Sequence, residues 1–345
     1  MKKLKFIRAN QTKHGGAEVY LSRVSDELKR VNIEHNIVYS DISKRLPSWL
    51  RVFYFNHTVC KAKKDDSFYF SLERISCPDI YRAGDGVHKV FMQVEQKSFL
   101  NPLHMIYLFL EKKCFQNAKK IIANSLMIKK QIIETYGIES EKITVVHNGV
   151  NKEEYNYHES FVRLEREWQI HSEEKIILYV GSGFKRKGVE VFLHILSKLT
   201  YQKYKAFVVG KEKKIAYYQN LAKTLNIEDK VIFTGARDDV KDFYVIADIF
   251  LFPTRYEPFS NVVLEAMNYE NVVITTKQNG ASEILDTEYI MQTPDDFTIV
   301  SKLDDLLYDD KKLETLKKRN LEIAQNYSIE KNVAETLKVI DEVMH

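Results

Sequence analysis

The chain has 345 residues, 44% of them hydrophobic, which is enough for two domains of ordinary size, each with its own core. Lys and Arg number 52 against 48 Asp and Glu, a net charge of only +4, so nucleic-acid binding would need a concentrated basic patch, and no run of the sequence supplies one. The three cysteines, Cys60, Cys77 and Cys114, are odd in number, widely spaced and outside any C-x-x-C pattern, which predicts reduced thiols in a reducing cytoplasmic compartment and no structural zinc. Met1 leads through two lysines directly into the short apolar stretch 4–7, and no segment approaches the length of a membrane span, so the expectation is a chain neither exported nor integral.

Lys5-Phe6-Ile7 reads as a first strand, followed by the loop His14-Gly15-Gly16-Ala17-Glu18 and a helix with Val19, Leu21, Val24, Leu28 and Val31 at apolar positions. Paired glycines let the backbone approach a ligand closely before a helix N-terminus; a plain tight turn reads the same way, and G-x-G-x-x-G is absent. Residues 35–39 read as a second strand, 47–64 as an aromatic and basic amphipathic segment with Trp49, Val52, Phe53 and Phe55, and 68–71 and 80–82 as further strands. The last of these runs into Gly84-Asp85-Gly86-Val87-His88-Lys89. That loop sets Asp85 and His88 at a strand's carboxyl end, where an open α/β sheet binds ligand and where charged surface turns also occur. Residues 99–120 are apolar first (Leu103, Ile106, Leu110) and basic after (Lys112, Lys113, Lys119, Lys120), the pattern of a buried helix or of an interfacial membrane helix. Strands at 121–125 and 142–146 lead to Asn148-Gly149, a turn that marks a domain crossing.

The charged stretch 151–174 reads as a linker with a short helix, after which strands at 176–180, 206–209, 231–233, 249–252 and 272–275 alternate with helical segments, the pattern of a parallel sheet with covering helices. Behind the first of these strands, Gly181-Ser182-Gly183-Phe184-Lys185-Arg186-Lys187-Gly188-Val189 places three glycines and three consecutive cations at a strand end. An ordinary basic loop would look like this; so would a cradle whose Arg and Lys make charge-assisted bonds to a diphosphate without a metal. Behind the fourth, Glu257-Pro258-Phe259-Ser260-Asn261-Val262-Val263-Leu264-Glu265 separates two carboxylates by seven residues. Pro258 biases Glu257 towards extended backbone and Ser260 and Asn261 are N-cap types, so Glu257 falls on a loop and Glu265 inside a helix whose N-terminus suits a phosphate. On spacing alone, a solvated helix face fits the pair equally well. Residues 313–345 read as amphipathic helices.

The Glu257 to Glu265 spacing and the run from Gly181 to Val189 resemble the E-x7-E and Gly-Ser-x-x-x-Arg-Lys-Gly-Val motifs of a large family of retaining glycosyltransferases, the family 4 type, which includes the lipopolysaccharide core glucosyltransferases. The resemblance runs from about residue 5 to about residue 285. It implies the GT-B arrangement, an α/β fold of two facing Rossmann-like domains with a cleft between them. Residues 1–150 would bind acceptor, 151–174 would link, 175–325 would bind the nucleotide sugar, and 326–345 would form a helix packing back on the N-terminal domain. The implied reaction is retaining, metal-independent transfer of a hexose from a UDP-linked or similar donor to a saccharide acceptor, lipopolysaccharide core or another cell-envelope glycolipid, with no cofactor beyond the donor. Arg186 and Lys187 would then hold the diphosphate with the backbone of Phe259, Ser260 and Asn261, Glu257 the donor sugar and Glu265 the ribose. Gly15 and Gly16 would face the donor phosphates, and the loop with Gly235 and Arg237 would hold the base.

The segment from Gly84 to His88 follows the family only loosely, and Asp85 or His88 is taken to orient or deprotonate the acceptor hydroxyl. A lipid-linked acceptor further implies peripheral attachment to the inner face of the cytoplasmic membrane, with 47–64 and 99–120 meeting anionic lipid. Two other readings use the same residues. A non-catalytic carbohydrate or nucleotide-sugar-binding protein would share the fold, and a metal-dependent glycosyltransferase could use Asp238-Asp239 or Asp304-Asp305. A dehydrogenase would need a G-x-G-x-x-G with an acidic residue some twenty positions on, and neither is present.

Overall fold

The computed structural model describes residues 3–10, 16–151 and 153–344. The chain divides into two compact units, Met1–Asn148 with Ile329–His345, and Gly149–Ser328.

In the first unit the elements follow as β1 (Lys3–Ile7), α1 (Gly16–Arg30), β2 (His35–Val38), α2 (Ser48–Lys61), β3 (Ser67–Ser71), β4 (Ile80–Ala83), α3 (His88–Val94), α4 (Pro102–Asn117), β5 (Lys120–Ala123), α5 (Leu126–Tyr136) and β6 (Ile143–Val145). The six strands pair in the order β2-β1-β3-β4-β5-β6, every pairing parallel. A parallel sheet is covered on both faces, and the central strands β3 and β4 are accordingly buried at every position. Phe6, Phe68 and Phe70 face Leu21, Val24 and Leu28 of α1 together with Val333 and Ile340 of the C-terminal helix, Ile329–Met344, while Ile7 and Tyr69 face Phe55 and Val59 of α2. The C-terminal helix therefore completes the core of the first unit. It is fastened there by a buried hydrogen bond between Tyr20 Oη and Thr336 Oγ1 at 2.9 Å.

The cysteine expectation is corrected by the packing of α2. Cys60 in its last turn and Cys77 in the loop after β3 form a disulfide, with Cα atoms 5.7 Å apart, and Cys114 is a free, buried thiol. Spacing concealed this pairing because Val59, Tyr69 and Ile75 pack together and so carry two residues 17 positions apart to one spot. Cysteine usage consequently carries no argument about compartment. Alkylation in denaturant is expected to label one thiol without reductant and three after reduction, read by intact mass; three labels without reductant would remove the bridge.

The second unit contains α6 (Tyr157–Trp168), β7 (Lys175–Val180), α7 (Phe184–Lys187), α8 (Val189–Leu196), β8 (Tyr204–Val209), α9 (Ile215–Thr224), β9 (Val231–Gly235), α10 (Val240–Ile246), β10 (Ile249–Phe252), α11 (Asn261–Asn268), β11 (Val272–Thr276), β12 (Ile290–Met291), α12 (Ile299–Tyr308) and α13 (Asp310–Ala324). Its parallel sheet has the order β12-β11-β10-β7-β8-β9, so β7 and β10, which precede the two sequence motifs, are neighbours. Residues 151–174 are not a linker. They hold α6, whose Leu164 is fully buried and whose Ser160 and Arg163 both bond Asp242 of α10, so a charged surface conceals a packed face. Among the described residues no helix is long and apolar enough to cross a membrane.

Candidate active site

Gly188, at φ +81°, joins α7 to α8, and a Cβ there would lie 1.9 Å from the carbonyl oxygen of Pro253 at the end of β10. Only glycine allows that approach, and the approach brings the cations of α7 to the loop that carries Glu257. Arg186 Nη1 donates to Glu257 Oε2 at 2.8 Å and to the Tyr256 carbonyl at 2.6 Å, and Lys187 Nζ stands 3.6 Å from the same carboxylate oxygen. The Lys187 ammonium also lies over the Phe252 ring, 5.4 Å from its centroid. The Glu257 backbone is fixed by Gln278 and Gly280, its N–H donating to the Gln278 carbonyl at 3.0 Å and its carbonyl accepting from the Gly280 N–H at 2.9 Å. Two cations on one carboxylate leave a partly exposed centre of net positive charge, able to exchange that carboxylate for a stronger anion.

Four residues beyond Glu257, α11 begins. Ser260 occupies its N-cap with extended backbone, Phe259 and Ser260 are buried, and Asn261 is the first helical residue. One helical turn further, Glu265 Oε2 accepts a hydrogen bond from Tyr244 Oη at 3.0 Å. Burial, with Glu265 adding to it, holds the Tyr244 hydroxyl well above its ordinary pKa, so it stays a donor, and its ring is stacked on Tyr269 at 6.0 Å. Gly235 closes β9 at φ +74°, and its carbonyl accepts from the Gly210 N–H at 2.8 Å. Arg237 is engaged elsewhere, forked onto Glu167 of α6 (2.7 and 2.8 Å) and onto Asp239 (both 2.8 Å). Those bonds, Asp239 first, hold its guanidinium above the ordinary arginine range. Asp304 accepts from the backbone N–H groups of Thr200 and Tyr201, and among the described residues no three His, Cys, Asp or Glu side chains are grouped to hold a metal.

In the first unit, Gly15 lies outside the described residues and Gly16 opens α1. Asp85 is exposed, whereas His88, the first residue of α3, is buried with Nε2 at 3.0 Å from His104 Nδ1. Burial, followed by the nearby Arg74 cation, pushes the His88 imidazole down to about 4, so it is neutral at pH 7 and a weak proton acceptor there. Its backbone N–H donates to Glu111 Oε2 at 2.6 Å. Glu111, fully buried on α4, also accepts from Arg74 Nε at 3.0 Å, Lys89 N–H at 3.2 Å and Tyr136 Oη at 2.7 Å.

A family model described as Glycosyl transferases group 1 matches residues 162–322, and one described as Glycosyltransferase Family 4 matches residues 83–154. Both matched models describe glycosyltransferases, the first over just under half of the chain. Among curated proteins the chain is similar to an uncharacterized glycosyltransferase of Methanocaldococcus jannaschii, 29% identical over 175 residues, which are 49% of this chain and 45% of that protein. It is also similar to the lipopolysaccharide glucosyltransferase WaaG of Escherichia coli, 28% identical over 215 residues, 59% of this chain and 56% of that one. The chain thus spans about half the length of the curated relatives it matches. The crystal structure of WaaG superposes with a TM-score of 0.80 at 18% identity over 98% of this chain and 99% of that chain. Anabaena Alr3699/HepE in complex with UDP and glucose gives 0.73 at 15% over 99% and 100%. Two Rossmann-like α/β domains of the GT-B class are the fold the sequence predicts and the fold observed.

Of the residues singled out in the sequence, Arg186, Lys187 and Glu257 are brought together, with Phe259, Ser260 and Asn261 next along the chain. Arg237 is turned to α6, and Asp85 and His88 lie in the other unit. Sequence reasoning missed Tyr244 and Glu111. The signals available were slight: a phenol within the apolar helix Val240–Ile246, and a lone carboxylate following the apolar run of α4.

Proposed function

We propose that this glycosyltransferase moves a hexose with retention from a UDP-linked sugar to a saccharide acceptor of the cell envelope, without a metal. The carrying observation is Arg186 and Lys187 sharing the Glu257 carboxylate just ahead of the α11 N-terminus. A donor diphosphate takes over the two cations, which then stabilise the charge developing on the leaving phosphate together with N–H groups from Phe259 to Asn261. Glu257, released from Arg186, accepts a sugar hydroxyl, and Glu265, oriented by Tyr244, accepts from the ribose. Catalysis is electrostatic and positional, with no protein nucleophile. Asp85 orients the acceptor hydroxyl, and neutral His88 supports its loop. HepE's capture with UDP and glucose supports the donor, and WaaG's glucosyltransferase name supports the acceptor class.

Nucleotide release from a panel of nucleotide sugars tests this reading. Slow release of UDP from one member, unchanged in EDTA, with the product's anomeric configuration matching the donor's by NMR, is the expected result. No release from any member would leave a non-catalytic binding protein, and loss in EDTA restored by Mg²⁺ or Mn²⁺ would make the enzyme metal-dependent.

The same reading places the protein peripherally on the cytoplasmic membrane. α2 exposes Trp49, Phe53 and Tyr54, and α4 exposes Met105 and Phe109 with Lys112 and Lys113, an apolar and basic combination in which each lysine adds about 1 kcal/mol near anionic lipid. Sedimentation with anionic but not neutral vesicles, weakened by salt and by Lys112→Glu with Lys113→Glu, is expected; no binding to any vesicle would favour a soluble acceptor.

A further inference from the structure

A pocket of about 330 Å³ opens in the first unit near the carboxyl ends of β1, β2 and β3. Its volume lies at the lower end of the roughly 300–1,000 Å³ of small-molecule sites. Its position follows from strand order. The chain goes from β1 to β2 on one side and returns to β3 on the other, so the connections diverge above β1 and leave a crevice.

Asn10 follows β1, Ser40 follows β2, Glu73 and Arg74 follow β3, and the two helices add Arg51 from α2 and Tyr107 from α4. Glu73 Oε1 is taken by Arg8 Nη1 at 2.8 Å and the Ala9 N–H at 3.0 Å, while its Oε2 makes no hydrogen bond among the described residues. Arg74 bonds Glu111 and the Gly86 carbonyl and lies over the Tyr107 ring at 5.7 Å. Glu73, the one carboxylate lining the pocket, shares Arg8 with Glu18, and Arg51 makes no ion pair among the described residues, so its guanidinium fork carries no carboxylate. A fork of N–H donors without a carboxylate, beside an acceptor oxygen, hydroxyls and a flat ring, matches a sugar that carries an anion.

We infer that this pocket takes a saccharide bearing a phosphoryl or carboxylate substituent, with Arg51 on the anion and Glu73 Oε2 accepting a ring hydroxyl. This names the acceptor class of the transfer proposed above and rests on that reading. The test is titration of the full chain, without donor, with glucose 6-phosphate, glucuronate and glucose by calorimetry. At least one anionic sugar is expected to bind tenfold or more tightly than glucose, the tighter of the two identifying the substituent. Arg51→Ala should abolish the difference, and Arg51→Lys should keep part of it. Equal affinity for all three, no binding by any, or an unaffected Arg51→Ala variant would overturn the inference. Because this readout needs no donor, it can fail while the wild-type chain still releases nucleotide, and the reverse.

Discussion

Lys187→Ala is expected to lower turnover of the nucleotide sugar by between about tenfold and 10³-fold with the fold intact, the range seen when one donor to a developing negative charge is removed. The Lys187 ammonium stands 3.6 Å from Glu257 and over Phe252, close enough to the end of β10 for its charge to act on a phosphate held beside Arg186. The side chain is only 17% exposed, so water compensates poorly for its loss. Glu257→Ala should fall in the same range for a different reason: once Arg186 has passed to the diphosphate, the sugar loses the carboxylate that would accept its hydroxyl. Glu257→Gln keeps the shape and removes the charge, so a larger loss of turnover than of donor affinity in that variant would separate charge from positioning. Circular dichroism and melting of each variant report the fold. Near-normal turnover in both alanine variants would sink the assignment of this cluster to the chemistry.

Glu111→Ala should destabilise the first unit by about 3–5 kcal/mol, the usual cost of leaving one half of a buried ion pair behind. Arg74 is 10% exposed at its side chain and Glu111 is fully buried, so removing the carboxylate strands a guanidinium in the interior. It also leaves the His88 and Lys89 N–H groups at the start of α3, and the Tyr136 hydroxyl, without their acceptor. The transition of this unit should drop by roughly 10 °C, with faster hydrogen exchange in His88–Val94. Glu111→Gln, which retains an acceptor oxygen but not the charge, should lose less. A loss below about 1 kcal/mol for Glu111→Ala would mean that water reaches Arg74 and that the pair is not a structural hub.

How much of this could be read in advance depended on the range of the interactions. Strands such as Ile249–Phe252 and Lys175–Val180 were legible because burial on both faces of a parallel sheet makes them nearly continuous apolar runs, and because glycine, proline and capping residues punctuate those runs locally. The edge strand Ile290–Met291 was not legible, since two residues carry no period. Glu257 and Glu265 were legible as a loop residue and a helical residue for the same local reason.

The sequence by itself thus determined the α/β class, the alternation of elements and the chemical types gathered at the strand ends, all of which follow from neighbours within a turn or two. Tertiary structure alone decided which charges meet. Arg186 reaches Glu257 across 71 positions because β7 lies beside β10, whereas Arg237, equally basic and equally placed after a strand, is drawn 70 positions back to Glu167. The disulfide of Cys60 with Cys77, the packed face of α6 and the bonds converging on Glu111 have the same origin. Ion pairs and bridges depend on distances set by packing between distant segments, and no local pattern of residue types encodes those distances.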